Sequence, residues 1–212
     1  MFTKALLPDT VRAIELVSKI DSIKSAYLAG GSALALHLGH RISEDLDFFT
    51  DKIFDENKLS LELSQIPEYE EAGKSWRTVW GKIANTKFSI FYYKYAVIKN
   101  PIKYDGIRIL DLADIAAMKI NALEDRGTKR DFVDVFFLAK KYSLEEMLNF
   151  YNLKYQCLQD HLYSIIRSLN YFADADSSDE RPLKMLIDVS WEEVKEYFKK
   201  EVVRLAKSKL KI

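Results

Sequence analysis

Apolar residues in the first half of the chain come in short runs, which polar or glycine residues separate. Short runs favour strands, whereas apolar residues that recur every three or four positions favour amphipathic helices. The predicted strands are a segment around Tyr27, a segment containing Asp45 and Asp47, a hairpin of 76–82 and 87–93 about Asn85, and 107–110. The predicted helices in this half are 10–20, 32–38 and 55–65.

The second half of the chain has helical periodicity nearly throughout. The predicted helices are 111–125, 129–142, 144–151, 159–172 and 191–210, and the acidic segment 173–181 is predicted to be a loop. Strands followed by helices predict an α+β fold, with a mixed sheet in the N-terminal half and a helical C-terminal half. We expect an α/β core over 1–110 and a helical domain over 111–212 packed on it.

Composition limits the class of protein. The chain has 212 residues, 48% hydrophobic and 30% charged, with a formal net charge of +0. This composition is typical of a globular protein, and any nucleic-acid contact would need a local basic patch. The single cysteine excludes a disulfide framework and a cysteine-rich metal site. We see no signal peptide and no apolar run long enough to span a membrane, so we expect a cytoplasmic protein with no membrane contact.

The segment Gly30-Gly31-Ser32 lies between a predicted strand and a predicted helix. Glycines allow positive φ and a close approach of the backbone to a ligand. Free amides at the start of a helix favour an anion, and the Ser32 hydroxyl could add a hydrogen bond. The segment is therefore a candidate phosphate cradle. The alternative is a strand-to-helix turn without a ligand.

Two aspartates follow a few residues later. Asp45 and Asp47 are predicted to share one face of a strand, while Leu46 and Phe48 point to the opposite face. Neighbouring carboxylates repel one another unless a cation lies between them. Mg²⁺ (or Mn²⁺) suits two carboxylates and the phosphates of a substrate. The alternative is a solvent-facing strand with two exposed acids.

These two motifs together resemble the nucleotidyltransferase superfamily, and more closely the AbiEii/AbiGii toxin family of minimal nucleotidyltransferases. The resemblance runs from Gly30-Gly31-Ser32 through Arg41-Ile42-Ser43-Glu44-Asp45-Leu46-Asp47-Phe48-Phe49, and extends from about 27 to 142. It implies a nucleotidyltransferase-like sheet. It also implies that Asp45 and Asp47 bind catalytic metal and that the cradle, Arg41 and Ser43 bind the nucleotide.

The family also carries a downstream lysine on a helix and a later basic-Asp-x-x-Asp motif. Lys119 and the run Lys129-Arg130-Asp131-Phe132-Val133-Asp134 match this order. Lys119 lies beside an apolar stripe, so it either extends its amine to solvent or has an anionic partner, which we expect to be a triphosphate or Asp131. Asp131 would orient Lys119 or act as a base, and the alternative is an acid that caps a helix.

The basic residues are candidates for contact with RNA. Lys129 and Arg130 precede Asp131, and they either bind an RNA backbone or pair with Glu124 and Asp125. A second basic group, from Arg204 to Lys211, more simply matches the dipole at the end of a helix.

One feature departs from the family's pattern. Many nucleotidyltransferases have a third carboxylate on a neighbouring strand, but the candidate strand 87–93 contains no acid. There are three alternatives: two carboxylates suffice, Asp131 contributes a third from a helix, or the enzyme is weak or specialised.

Two main hypotheses follow. The first is a Mg²⁺-dependent nucleotidyltransferase that transfers NMP from an NTP to an acceptor. By resemblance the acceptor would be RNA, such as tRNA, and the protein a toxin with a cognate antitoxin. The second is a non-catalytic module that binds NTP or a partner. A phosphotransferase that acts on protein is a third possibility.

Overall fold

The protein consists of two compact units, Met1–Asp111 and Leu112–Ile212. This computed structural model describes residues 1–177 and 182–210. A mixed sheet dominates the first unit, and the second unit is helical. The predicted α+β fold is therefore confirmed.

The first unit contains a seven-stranded sheet among the described residues, in the order β3-β4-β5-β2-β1-β7-β6. Its strands are β1 (Tyr27–Leu28), β2 (Leu46–Thr50), β3 (Tyr69–Ser75), β4 (Thr78–Ile83), β5 (Thr86–Tyr92), β6 (Ile102–Tyr104) and β7 (Ile107–Ile109). The β2–β5 and β1–β7 pairs are parallel, and the other pairs are antiparallel. The predicted hairpin is β4–β5, whose turn is formed by Ala84 and Asn85 at positive φ.

Two helices of the first unit precede the first strand, and two others lie between strands. They are α1 (Pro8–Val17), α2 (Asp21–Lys24), α3 (Gly30–Leu38) and α4 (Glu56–Leu63), and a 3-10 turn covers Thr3–Ala5. Gly39 ends α3 in the left-handed region at φ +63°, as expected of a helix C-terminus. The Asp55 side chain caps α4 by accepting hydrogen bonds from two main-chain amides.

Strand β2 has one face in the core and one face that is half-buried. Leu46 and Phe48 are fully buried, whereas Asp47 and Phe49 are partly exposed. The side chains of β4 and β5 alternate in the same way. Asp45 comes directly before β2 and is also partly exposed, so the predicted alternation between acidic and apolar positions is confirmed.

Besides the short 3-10 turn, two strands and one helix of the first unit were not predicted, and each lacks a clear apolar pattern. Strand β3 lies at the edge of the sheet and has the polar sequence YEEAGKS, with no buried residue. Strand β6 at the opposite edge and helix α2 are three and four residues long. An edge strand buries little surface, so hydrophobic periodicity does not reveal it.

The second unit is built from helices. They are α5 (Leu112–Asp125), α6 (Lys129–Leu138), α7 (Leu144–Tyr155), α8 (Leu158–Ser168), α9 (Ala173–Ser177) and α10 (Trp191–Leu205), followed by a π-helical turn over Ala206–Leu210. The core of this unit includes a cluster of aromatic rings around Phe132, which contacts Phe172, Trp191 and Phe198. No helix of the described residues combines the length and the apolar character that a membrane crossing requires.

The predicted loop over 173–181 is wrong in its first part, because Ala173–Ser177 forms helix α9. Ala175 is buried there, which gives this acidic segment an apolar anchor. The remainder of that segment, 178–181, lies outside the described residues. Lys211, the last member of the predicted basic end, also lies outside them.

The two faces of β2 give a prediction for stability. Phe48→Ala should lower the free energy of unfolding by about 3–5 kcal/mol, because it leaves a cavity beneath the sheet. Phe49→Ala, on the half-buried face, should lower it by clearly less. Urea denaturation of both variants measures the difference, and equal losses would contradict the assignment of the two faces.

Candidate active site

The candidate phosphate cradle is the tight first turn of α3, which Ala29 alone separates from β1. Gly30 has a φ of +65°, in the left-handed region that glycine adopts most readily. A β-carbon built on Gly30 would lie 3.5 Å from Oδ2 of Asp47. The amide of Ala29 donates to the carbonyl of Asp47 over 3.0 Å. The turn therefore lies directly against the carboxylate of Asp47, so both predicted halves of the site lie together.

The second glycine of the cradle makes room for another side chain. A β-carbon on Gly31 would lie 2.6 Å from Nη2 of Arg41 and 3.2 Å from Oγ of Ser43. The space over Gly31, expected to admit a phosphate, is therefore occupied by Arg41. Arg41 is itself buried, and its Nη1 donates to the carbonyl of Ile42 over 3.1 Å. A guanidinium thus lies at the positive end of α3, where an anion would be favoured.

Ser32 connects the cradle to the segment before β2. Its hydroxyl donates to the main-chain carbonyl of Asp45, and its oxygen lies 2.9 Å from Oγ of Ser43. Both serines are buried. Ser32 therefore positions Asp45 relative to the cradle, and its predicted contact with phosphate stays a prediction.

The two carboxylates form a small donor set. Asp45 and Asp47 are partly exposed, and the fully buried Leu46 lies between them in the chain. In the described part of the chain, no three His, Cys, Asp or Glu side chains lie close enough to hold a metal ion together. Two carboxylates fit Mg²⁺, which usually keeps several waters and takes further oxygens from substrate phosphates.

The structure identifies the residue next to Asp47 on the neighbouring strand. In the parallel pairing of β2 with β5, Asp47 is in register with Ser89. The position beside the carboxylate pair therefore carries a hydroxyl. Ser89 is partly exposed on the same side as Asp47, so a third carboxylate is absent from β5 among the described residues.

In the second unit, Lys119 belongs to a buried ion-pair network. Its Nζ lies 2.9 Å from Asp131 and 2.7 Å from Asp134, and all three side chains are buried. Of its two predicted partners, triphosphate or Asp131, the structure contains Asp131. Arg126 adds a second cation through Nε, 2.8 Å from Asp131. Removing one member would leave buried charge without compensation.

Asp131 also lies in the first turn of α6, which agrees with the predicted alternative of an acid that caps a helix. Its amide donates to Oγ1 of Thr128, which in turn donates to Oδ2 of Asp131 over 2.8 Å. Burial raises the pKa of Asp131, but the charge of Lys119 and the hydrogen bonds from Arg126 outweigh burial and hold that pKa well below its usual range. Such a carboxylate is a poor general base, so the geometry favours the orienting role.

The low pKa of Asp131 also has a consequence for stability. The ionised carboxylate stabilises the fold at any pH above the pKa of an unfolded aspartate. This contribution is lost as the pH falls through the lower folded value. Asp131 is therefore ionised at neutral pH.

The basic pair beside Asp131 consists of Lys129 and Arg130, and the structure gives a contact for Lys129. Nζ of Lys129 lies 5.2 Å from the centre of the Trp191 ring, in a cation–π contact. Glu124, considered as a partner for the basic pair, accepts from Nδ1 of His161 over 2.8 Å. The predicted contact of Lys129 and Arg130 with RNA stays a prediction.

Comparison with known proteins identifies the family. The model of the family described as "Nucleotidyl transferase AbiEii toxin, Type IV TA system" matches residues 16–103. A relative from Aquifex aeolicus (strain VF5), "Uncharacterized protein aq_aa25", is 37% identical over 196 residues, covering 90% of this chain and 92% of the relative. The chain belongs to the AbiEii nucleotidyltransferase toxin family. Membership favours the enzyme over the non-catalytic module.

Solved structures agree with the AbiEii assignment at the level of the fold. JHP933 from Helicobacter pylori is 23% identical with a TM-score of 0.55, and covers 95% of this chain and 91% of its own. MenT4, the nucleotidyltransferase toxin Rv2826c from Mycobacterium tuberculosis H37Rv, is 13% identical with a TM-score of 0.52. The match covers 92% of this chain and 82% of MenT4. The predicted nucleotidyltransferase-like fold is therefore confirmed.

The AbiEii match covers the cradle and both carboxylates but ends before the second unit. The roles of Lys119 and Asp131 stay predictions. Sequence reasoning missed two members of their network, Arg126 and Thr128. Thr128 with an acid three residues later is a recognisable capping pattern, which could have identified one of them. Arg126 had no comparable signal.

The buried network gives a prediction for stability. Lys119→Ala should lower the free energy of unfolding by about 3–5 kcal/mol, because Asp131 and Asp134 lose a shared cation. Lys24→Ala, which removes an exposed ion pair with Asp21 at 2.6 Å, is the matched control and should change little. Urea denaturation followed by circular dichroism measures both. An unchanged midpoint for Lys119→Ala would rule out a structural role for the network.

Proposed function

We propose that this AbiEii-family protein uses Mg²⁺ (or Mn²⁺) to transfer NMP from an NTP to a hydroxyl of an RNA, such as tRNA. The observation that carries the proposal is the close approach of the cradle to the carboxylate of Asp47. Gly30 turns at +65° against Oδ2 of Asp47. A triphosphate in the cradle would therefore lie beside the groups that bind its metal.

The cradle would bind the negative charge of the triphosphate. Free amides at the start of α3 would favour an anion in this position. Arg41 over Gly31 would add a cation for the non-transferred phosphates. Ser32 and Ser43 would hold this arrangement through their mutual contact of 2.9 Å.

Asp45 and Asp47 would hold the metal, with substrate phosphates and water completing its ligands. Bound metal would stabilise negative charge on the attacking and leaving oxygens of an in-line displacement. The bond from the acceptor oxygen to the α-phosphorus forms while the bond to the pyrophosphate oxygen breaks. The acceptor proton would pass to a carboxylate or to water.

Lys119 would stabilise negative charge that develops in the transition state, and Asp131 would hold its ammonium in place over 2.9 Å.

In a Type IV toxin-antitoxin system, the physiological partner of this protein would be a cognate antitoxin.

Substitution of the carboxylates tests the enzyme. Asp45→Asn or Asp47→Asn should reduce transfer at least about a hundredfold, a loss of roughly 2.7 kcal/mol of transition-state stabilisation, with the fold intact. Asp51→Asn, an exposed aspartate just beyond β2, is the matched control. Four α-labelled NTPs are incubated separately with total RNA, and label on RNA is counted. Normal turnover of either folded variant would exclude Asp45 and Asp47 as metal ligands. In a parallel incubation with γ-labelled NTPs, transfer of label only from the γ position would indicate a phosphotransferase.

The basic pair at the start of α6 provides a test of the acceptor. Charge reversal at Lys129 and Arg130 should raise the KM for RNA and leave NTP binding unchanged, because it removes sites for backbone phosphates. Charge reversal at Lys140 and Lys141, an exposed basic pair that follows the same helix, is the control. Transfer by the parent should also fall steeply with salt. Salt-insensitive transfer, or transfer to a small molecule or protein, would refute the RNA acceptor.

A further inference from the structure

We propose that the acceptor RNA binds as a single strand on the open sheet face beside Asp47, with a base stacked on Trp80 and a backbone phosphate between Lys82 and Lys87. This inference rests on the proposed function, because it assigns a surface to the proposed acceptor. It uses the first unit alone.

Trp80 lies in the same cross-strand row as the carboxylate. Trp80 of β4 is in register with Ser89 of β5, which is in register with Asp47 of β2. Residues directly opposite on neighbouring strands share a face of the sheet. At a strand spacing of about 4.8 Å, the Cα atoms of Trp80 and Asp47 lie about 10 Å apart.

The ring of Trp80 rests on bare backbone. Its cross-strand partner on β3 is Gly73, where a β-carbon would lie 2.5 Å from Cζ2 of the indole. Any larger residue at this position would displace the ring. The side supported by Gly73 is covered, yet Trp80 as a whole is 38% exposed. A supported and exposed indole is a stacking surface for a nucleobase, which any base can use.

Two lysines lie beside this aromatic surface. Lys82 and Lys87 are directly opposite each other on β4 and β5, on the same face as Trp80 and Ser89. Both are exposed, and among the described residues neither forms an ion pair. Like charges in directly opposite positions destabilise a sheet, and Glu70, which is opposite Lys82 on β3, offsets only part of this repulsion because it lies one strand further from Lys87. A bound phosphate would turn this repulsion into attraction.

The direction of the reaction places the acceptor on this side. The cradle contacts Asp47 from the β1 side of the sheet, through Gly30. In an in-line displacement, the attacking oxygen and the leaving pyrophosphate lie on opposite sides of the α-phosphorus. With the pyrophosphate in the cradle, the acceptor would therefore approach from the β5–β4 side, where Ser89, Trp80 and the two lysines lie.

Single-stranded RNA is the occupant that this combination of groups favours. A stacking surface requires a base that is free of its neighbours, and such bases occur in single strands and ends. The paired lysines favour an anion close to that base. A nucleotide chain supplies both groups.

The first test measures binding without catalysis. Fluorescence anisotropy follows a short labelled single-stranded oligoribonucleotide, and the same sequence as a duplex, on titration with protein. Trp80→Ala should weaken binding of the single strand roughly 10- to 100-fold. Trp76→Ala, which removes a 72% exposed tryptophan from the neighbouring turn, is the matched control and should bind like the parent. Unchanged binding by Trp80→Ala, or equal losses in both variants, would overturn the inference.

The lysines have a separate signature in the same assay. The double variant Lys82→Gln/Lys87→Gln should reduce the slope of log affinity against log salt by about one, the change expected for the loss of a phosphate contact. Lys52→Gln/Lys58→Gln, a pair of exposed lysines elsewhere in this unit, should keep the parent slope. An unchanged slope for Lys82→Gln/Lys87→Gln would show that no phosphate binds between these two lysines.

The second test uses turnover to separate acceptor from nucleotide. Trp80→Ala should raise the KM for RNA roughly 10- to 100-fold and leave the KM for NTP unchanged, and Trp80→Phe should restore most of the loss. A raised KM for NTP alone would place the nucleotide's own base on Trp80 and overturn the inference. If the parent transfers nothing to RNA, the proposed function fails, whereas the anisotropy experiment still decides whether this face binds RNA.

Discussion

The turn at Gly30 against Asp47 is the constraint on which the candidate site depends. Antiparallel pairing of β1 with β2 brings the two segments together, and the bond from Ala29 to the carbonyl of Asp47 fixes their register. The chain must then reverse into α3, which it does at φ +65°. Most side chains would strain that conformation and narrow the gap to the carboxylate. The pairing of β1 with β2 thus holds both the cradle and the two aspartates in place.

Buried polar contacts support this turn from behind. Arg41 and Ser43 are buried in the segment that leads from α3 to β2, and Ser32 is buried in the first turn of α3. An irregular segment can be buried only when its polar groups have partners. Ser32 supplies one by donating to Asp45, and Arg41 supplies another by donating to Ile42. The polar residues that the sequence motif contains therefore hold the site together, whatever they also bind.

Local features of the site could be predicted because they depend on neighbours in sequence. The alternation from Asp45 to Phe49 identifies a strand with one acidic face, and Gly30-Gly31 identifies a turn before a helix. Long-range pairing could not be predicted in this way. Ser89 is beside Asp47 only because β5 pairs in parallel with β2 across the intervening β3–β4 segment. Strand β3 was missed because nothing in its sequence is buried.

In the second unit, helical periodicity predicts the elements but not their ionic partners. The position of Lys119 beside an apolar stripe suggests an anionic partner, but it does not identify which residue or ligand that partner is. The structure supplies Asp131 and Asp134, and adds Arg126 from the last turn before α6. Helix α9 was read as a loop because its acidic composition masks the one buried anchor, Ala175.

The hydroxyl of Ser89 changes the electrostatics of the site under the proposed function. A carboxylate there would be a third negative charge directly beside Asp47, and like charges at adjacent positions of a sheet repel. With Ser89 this repulsion is smaller, but the metal has fewer protein ligands. Mg²⁺ holds its hydration waters firmly, and a pair of carboxylates leaves most of its octahedral positions to water or phosphate. Metal and nucleotide would then bind this site together, each completing the ligands or the charge balance of the other.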